Sequence, residues 1–503
     1  MKKRLSKKQM LIFAVGQFGW SLLGGIISAW LVTYFLPVKT DVAKGAVQYI
    51  IPGLAIGGFL TVIGLITALS RVFDAVTDPL IASLSDRSKN PRGRRIPFMQ
   101  IAAIPFAVVT VLMFCIDFGK YNSNLGWLNI VWVSVMIVLF YLFMTMYCTP
   151  YNALISEFGQ CQEDRMFIST AISFTYLFGT LFAYLPFVIA PMLIDGVGFA
   201  WAYRICFIVL ASIALAGLLL PTFLLKETDF IEPKPSRENV LRSLTATFKN
   251  KDFRTFAFSD IMYWVGLTMF QTGLPYFVRV SMGFDSGMVI VFMGGMTVLA
   301  AVFYPFVTRF VKKFGKKKLV IAGFIGLALC YAIAAISSLP LKGFAAEGSG
   351  GNGLSWVFGI LIMVISALPM ALLGIIPQSI VADVAEAEAK TTGENREGMF
   401  FAARTFAMKF GQSLAMILFT SLAVSMATKP ASWLPAVMQS TGDEVYPSKA
   451  GMIIVAVVAV AFCLAGAAIL LFYREKKVMK IIAKEGDEAF LKAVEENNKE
   501  KEE

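Results

Sequence analysis

Three charged residues set the chemical question: Arg71, Asp74 and Asp78, in the run Ser70-Arg71-Val72-Phe73-Asp74-Ala75-Val76-Thr77-Asp78-Pro79. Arg71 lies three positions before Asp74 and Asp78 four after it, so on a helix the three side chains share one face. They end a long apolar run that begins near Ile50, which puts them within or at the edge of a membrane helix. Charge at that depth is costly and usually marks an ion or substrate pathway. The plainer reading is a structural Arg71–Asp74 pair with Asp78 at a Pro79 kink. Such a pair neutralises one carboxylate and leaves the second expected to lack a partner.

The elements that must position these residues follow from composition. The chain of 503 residues is 57% hydrophobic, against roughly 45–50% for a soluble domain. With a mean hydropathy of +0.71 it reads as an integral, all-α membrane protein. No histidine is present, which excludes a His-based proton relay or metal site. Six cysteines, mostly in apolar runs, show no paired spacing and read as small buried residues. The short basic N-terminus runs into an apolar stretch too long for a signal peptide, so no cleavable targeting segment is expected.

About twelve apolar spans of membrane length are expected, near 11–36, 50–83, 97–117, 127–155, 166–192 and 199–225, then 253–278, 286–310, 318–340, 355–384, 398–428 and 450–473. The polar stretch 226–252, containing Glu232-Pro233-Lys234-Pro235, reads as a cytoplasmic linker between a six-helix half over 1–225 and another over 253–473. Residues 474–503 form a densely charged tail. Positive charge collects in the N-terminal tail, around Arg87 to Arg95, in the linker, at Lys312 to Lys318 and in the tail. The intervening loops carry few lysines and arginines, so both termini are expected in the cytoplasm. The net charge of +12 is therefore a topology signal rather than a nucleic-acid footprint.

An internal repeat supports the two halves. Residues Asp86 to Arg95 align without gaps on Thr308 to Lys317, each after the second span of its half. This loop resembles the signature of the major facilitator superfamily, whose halves are parallel repeats around a midplane substrate site. Carried back, the alignment sets Asp74 against Met296 and Asp78 against Ala300, so the scaffold position itself requires no carboxylate.

Two stretches resemble a particular branch of that superfamily, the glycoside–pentoside–hexuronide:cation symporters, which include the melibiose carriers. The first is Arg71 to Pro79 with the basic loop ending in Gly93-Arg94-Arg95. The second runs from Val381-Ala382-Asp383-Val384 through Gly393-Glu394-Asn395-Arg396-Glu397-Gly398 to Arg404-Thr405-Phe406 and Lys409. The resemblance implies that Asp74 and Asp78 bind the coupling cation and that Thr145 contributes a hydroxyl. Two carboxylates one helical turn apart can supply oxygens to a hard cation such as sodium. Ser21 and Cys148 stand where melibiose carriers have sugar-binding aspartates, Asn152 where they have a stacking tryptophan, and Ser173 where they have an arginine. Galactoside specificity is therefore not implied, and sodium against proton stays open. Lys409 matches a span-eleven lysine facing the central cavity, with Arg404 and Thr405 beside it.

Other residues extend the expected site. Trp20, Tyr151, Tyr263 and Trp264 offer flat faces for a sugar ring, although aromatics also pack. Asp260 is either a second gating carboxylate or an acid paired with the basic linker. With Arg71, Arg404 and Lys409 inside and two acids absent, the substrate could carry negative charge, as a uronide does, unless Arg404 pairs with Asp383 or Glu386. Asp86 with Arg87 and Arg92 to Arg95 are expected to form cytoplasmic ion pairs between helices that break as the halves rock, the acidic loop of Asp383, Glu386, Glu388 and Glu394 being the natural counterpart of the arginines; setting topology alone is their plainer reading.

The expected function is cation-coupled symport, with sodium or proton, of a sugar, glycoside or uronide across a cell membrane, the bacterial cytoplasmic membrane in particular. Substrate, coupling cation and bilayer are the expected partners; no cofactor, nucleic acid or obligate protein partner is implied. No nucleotide-binding motif points to ATP drive. A lysolipid carrier of the same fold is the competing reading, and a membrane enzyme or sensor a third, for which no nucleophile–base pair with histidine is available.

Overall fold

A computed structural model describes residues 4–43, 50–53, 60–86, 88, 90–159, 162–230, 247–339, 343, 345–392, 397–424 and 446–482. The long helices are α1 (Lys7–Phe35), α2 (Val62–Asp86), α3 (Ile96–Cys115), α4 (Trp127–Phe158), α5 (Gln162–Phe182), α6 (Pro186–Val197) and α7 (Phe199–Leu224). They continue as α8 (Lys251–Tyr276), α9 (Met288–Phe314), α10 (Lys316–Ser337), α11 (Gly353–Thr392), α12 (Glu397–Val424) and α13 (Lys449–Leu470). Polar side chains start several of them. Ser6 and Gln9 form a capping box on α1, while Asn250 and Ser448 cap α8 and α13.

Among the described residues, ten helical segments are long and apolar enough to cross a membrane, α5 and α6 forming one of them together over Phe167–Val197. The chain is an all-helical, multi-pass membrane protein. Two further long helices fall short of that apolarity, α2 and α8. They carry the buried Asp74 and Asp260. The chemistry of the site is what lowers their apolarity.

Element boundaries differ from the sequence expectation where proline and glycine intervene. The apolar run from Ile50 does not read as helix at 50–53, which contains Pro52 and Gly53, and α2 begins only at Val62. The span expected over 166–192 breaks at 183–185, before Pro186 at the start of α6. α8 passes into a π-helical turn, Phe277–Ser281. Most of the linker, the loop 425–445 and the end of the tail lie outside the described residues, as do Arg87, Lys89 and Glu394 and the side chain of Asp86.

In the first part of the chain α1 packs on α5 and α7, α2 on α4, and α3 on α4 and α7. In the second part α8 packs on α12 and α13, α10 on α11 and α13, and α9 on α11. The broadest contact between the two parts joins α2 to α12. Polar links between the parts gather at the end away from the termini. Arg279 pairs with Asp41 at 2.5 Å, Thr40 donates to Glu347 at 3.1 Å, and Tyr276 donates to the Leu36 carbonyl at 2.7 Å. Thr61 and Thr420 hydroxyls meet at 2.6 Å beside them. The bundle is thus tied shut at that end.

The end bearing the termini is organised differently, by one clamp in each part. Glu227, just after α7, accepts from the backbone N–H groups of Arg94, Arg95 and Ile96 at 2.8–3.0 Å and so caps α3. Glu475, just after α13, accepts from Lys316 and Lys317 N–H groups at 2.7 and 3.2 Å and caps α10. A carboxylate on free N–H groups at a helix start is favoured by the helix dipole. Each clamp needs a glycine: Gly93 has φ +120 and Gly315 φ +81, a left-handed backbone in which a Cβ is strained. A Cβ on Gly93 would also meet a Glu227 carboxylate oxygen at 2.4 Å.

Candidate cation and substrate site

Asp74 and Asp78 do share one face of α2, and α4 brings Thr145 against it. The Thr145 hydroxyl lies 2.7 Å from Asp74 Oδ1 and 3.1 Å from Asp78 Oδ1. One hydroxyl has one proton to donate, so it can satisfy only one of the two carboxylates at a time. The expectation of an unpartnered carboxylate does not hold. Lys409, reaching across from α12, sets its ammonium 2.8 Å from Asp74 Oδ1 and 2.6 Å from Asp78 Oδ2. It also donates to the Asp74 carbonyl at 3.3 Å. A lysine remote in sequence thus supplies the balancing charge that the local reading lacked.

Arg71 contributes less than its spacing suggested. Its Nη1 stays 3.9 Å from Asp74 Oδ2, and its guanidinium stacks over the Tyr141 ring, 4.5 Å from the centroid. Asp74 is 1% exposed, and its Oδ2 has no hydrogen-bond partner. A buried carboxylate oxygen left open, a second carboxylate and a hydroxyl form a small, all-oxygen donor set suited to a hard monovalent cation or a proton. No group of three or more acidic, cysteine or histidine ligands occurs among the described residues, so a transition-metal site is not formed there.

The second buried ion pair lies between α8 and α12. Arg404 Nε is 3.0 Å from Asp260 Oδ2 and Nη2 is 3.4 Å from Oδ1, a two-pronged contact. Arg404 is thus held by Asp260 rather than by Asp383 or Glu386, and the described partner of Asp260 is Arg404 rather than a linker residue. Tyr263 and Trp264 stand beside this pair with ring centroids 5.2 Å apart. Trp264 Nε1 approaches the Asp260 carboxylate without hydrogen-bond geometry. Across the cavity, Trp20 faces Tyr176 at 6.1 Å, and Tyr176 was not singled out in the sequence. Its position on α5 gives no signal without the fold.

Several expected substrate residues sit elsewhere. Ser21 is buried, bonds to the Phe18 carbonyl at 3.1 Å, and lies so near α5 that a Cβ at Gly179 would meet its Oγ at 2.0 Å. It is a small residue that lets α1 and α5 approach, not a cavity group. Tyr151 is packed on Phe13 at 4.4 Å and donates to the Phe13 carbonyl. Cys148 is buried one turn from Thr145, near both aspartates. Asn152 and Ser173 are exposed and Thr405 is half-buried.

Among the described residues, the basic and acidic groups near these loops form pairs within each part. Arg94 pairs with Glu157 at the end of α4, and Arg95 reaches the same carboxylate at 2.9 Å. Asp383, on α11, pairs with Lys316 at 2.6 Å. Arg94 and Lys316 are aligned in the repeat, so these are two copies of one arrangement. Glu157, Glu227 and Glu475 escaped the sequence reading. A signal existed, because a basic residue followed by glutamate closes both parts, Lys226-Glu227 and Arg474-Glu475.

Paired helical parts, a seal at one end and buried charges at the middle define a secondary transporter of the major facilitator fold. The chain belongs to the MFS/sugar transport protein family, whose model matches residues 3–476. An uncharacterized symporter of Bacillus subtilis, YjmB, is 26% identical over 432 residues, 82% of each chain. The lactose permease of Leuconostoc lactis is 24% identical over 286 residues, 54% of this chain and 41% of that one. Among solved structures, a D-xylose–proton symporter superposes with a TM-score of 0.62 at 15% identity, covering 93% of this chain and 98% of that one. The family is one of transporters, not enzymes.

Proposed function

We propose that the protein couples entry of a cation, sodium or proton, to transport of a sugar, glycoside or uronide by alternating access. The observation that carries this is Lys409, whose ammonium lies against both Asp74 and Asp78. A tethered cation in that position makes the pair selective for exchange: a free cation takes the carboxylates only as Lys409 leaves them. Lys409 then turns toward the cavity, where a substrate group can receive it. Cation and substrate each favour the same rearranged state, and each raises the other's affinity. Thr145 holds one carboxylate throughout, and Arg71 keeps the cluster from carrying surplus negative charge.

Charge bookkeeping narrows the substrate. Arg71, Arg404 and Lys409 stand against Asp74, Asp78 and Asp260, three against three, so the resting site has no net charge. A coupling cation adds one positive charge, which is costly in a low-dielectric site. A uronide cancels it, while a neutral glycoside carries it across as current. The two parts, 1–225 and 253–473, rock about the site through the linker 226–252, with both termini in the cytoplasm of a bacterial cell. In that orientation the bundle sealed at Asp41–Arg279 opens inward.

The test is uptake into proteoliposomes of a panel of neutral glycosides and uronides, under an imposed sodium or proton gradient and with the membrane potential clamped. The proposal expects one gradient to drive one sugar class. Potential-insensitive uptake identifies a uronide, and uptake accelerated by an inside-negative potential a neutral glycoside. Lysolipid uptake indifferent to every sugar would replace the sugar reading.

A further inference from the structure

Between the cation pair and the sealed end the helices carry polar groups that neither the ion pairs nor packing employ. Depth can be read from contacts. Tyr276 touches the Leu36 carbonyl, which registers α8 against α1. Eight residues back along each helix, Thr268 and Ser28 come to one level. α8 and α12 run side by side in the same direction, with Asp260 on Arg404 and then Thr272 Oγ1 3.6 Å from Met416 Sδ. One turn back from that last contact, Thr268 stands level with Gln412.

The exposed faces agree. On α12, Phe401, Thr405, Met408 and Gln412 are half-buried at helical spacing, between the side turned to α2 through Lys409 and Ser413 and the side turned to α8 through Arg404 and Gly411. On α1, Trp20, Gly24 and Ser28 make the corresponding stripe, Ser28 exposed and Gly24 facing open space, where a Cβ would meet nothing within 4 Å. Thr268 is 8% exposed and its hydroxyl has no hydrogen-bond partner; Gln412 Oε1 is likewise buried and unpartnered. Buried polar atoms left open carry a desolvation penalty that a ligand's hydroxyl groups would relieve. From Lys409 to the end of α12, from Asp260 to the end of α8, and along α1 past Lys8, no further carboxylate, lysine or arginine occurs.

We propose that Ser28, Thr268 and Gln412 form an uncharged hydroxyl-binding subsite for a second sugar ring, placed between Lys409 and the sealed end. A first ring then lies lower, beside Trp20, Trp264 and Thr405. Seven residues separate Thr405 from Gln412, about 10 Å along the helix, a length two linked pyranose rings can fill. This rests on the sugar-symport reading above, and gives it a size preference: two-ring substrates over one-ring substrates.

The experiment compares lactose with methyl β-galactoside, and isoprimeverose with methyl α-xyloside, as cation-driven substrates or competitors in proteoliposomes. Wild type is set beside Thr268→Val, Gln412→Met and Gly24→Leu. The expected result is a KM ratio of two-ring to one-ring sugar that rises roughly tenfold in the first two variants. Gly24→Leu, which fills the open space, should exclude the two-ring sugar further. Thr268→Val removes an unpartnered hydroxyl, so its thermal midpoint should not fall, which separates lost recognition from lost folding. A ratio unchanged in all three variants, with cation-driven uptake intact, overturns the subsite and leaves the symport reading standing. Absence of cation-driven uptake of every sugar overturns both.

Discussion

The two parts of the molecule use the same scaffold and differ in what they bury. Each has a left-handed glycine, two basic residues opening a helix, a carboxylate on the first basic side chain and a glutamate capping the helix start. Gly93, Arg94, Glu157 and Glu227 do this in one part, Gly315, Lys316, Asp383 and Glu475 in the other. At the matching position of the second helix, however, the repeat alignment sets Met296 and Ala300 where the first part has Asp74 and Asp78. What appears twice holds the bundle together; what appears once is the part to which the proposal assigns the coupling. Lys409 joins the two, since a side chain of the second part balances the carboxylates of the first.

The comparison can be broken most severely at the element present once. Lys409→Gln leaves the buried Asp74 and the half-buried Asp78 without their main counter-charge, a loss of about 3–5 kcal/mol of stability. Thermal unfolding of the purified variant should show a depressed midpoint that sodium, or lowered pH if the proton couples, restores more strongly than in wild type. A midpoint equal to wild type and deaf to both would break the exchange account. Next comes the buried pair Asp260–Arg404. Asp260→Asn alone should cost about 3–5 kcal/mol, while Asp260→Leu with Arg404→Met should recover most of it. A double variant no better than the single one would show that the residues do not act as a pair.

The duplicated scaffold should respond evenly and leave coupling alone. Glu227→Gln and Glu475→Gln are each expected to cost about 1–3 kcal/mol through lost charge-assisted bonds at a helix start. Cation half-saturation of uptake should be unchanged in both; a shift in either would move that clamp into the coupling machinery. The smallest effect sharpens the comparison. Gly315→Ala should cost about 1–2 kcal/mol of backbone strain. Gly93→Ala should cost more, because its Cβ would also press on Glu227 at 2.4 Å, whereas at Gly315 the nearest Glu475 oxygen is 3.3 Å away.

Sequence showed the apolar runs because a bilayer demands them, and showed the Arg71–Asp74–Asp78 face because helical spacing is local. Thr145 followed from resemblance, and its contact with both aspartates gives that assignment a geometry. The ammonium of Lys409 was not placed by pattern, because it meets Asp74 from 335 residues away. The alternative partners considered for Arg404 missed for a related reason: Asp383 is near in sequence, yet α8 presents Asp260 at the right depth. Ser21 carried a family position but lost its cavity exposure to the close approach of α5. Loop charges suggested pairs between the parts, while the repeat, read one step further, would have pointed to pairs within them.

The most direct test of the coupling claim is sugar accumulation against a gradient in proteoliposomes containing wild type, Asp74→Asn or Asp78→Asn. The account predicts that wild type accumulates sugar under an imposed sodium or proton gradient and that either substitution abolishes the accumulation. Accumulation at wild-type levels in both variants would contradict it, and would return Arg71, Asp74, Asp78 and Lys409 to a purely structural network.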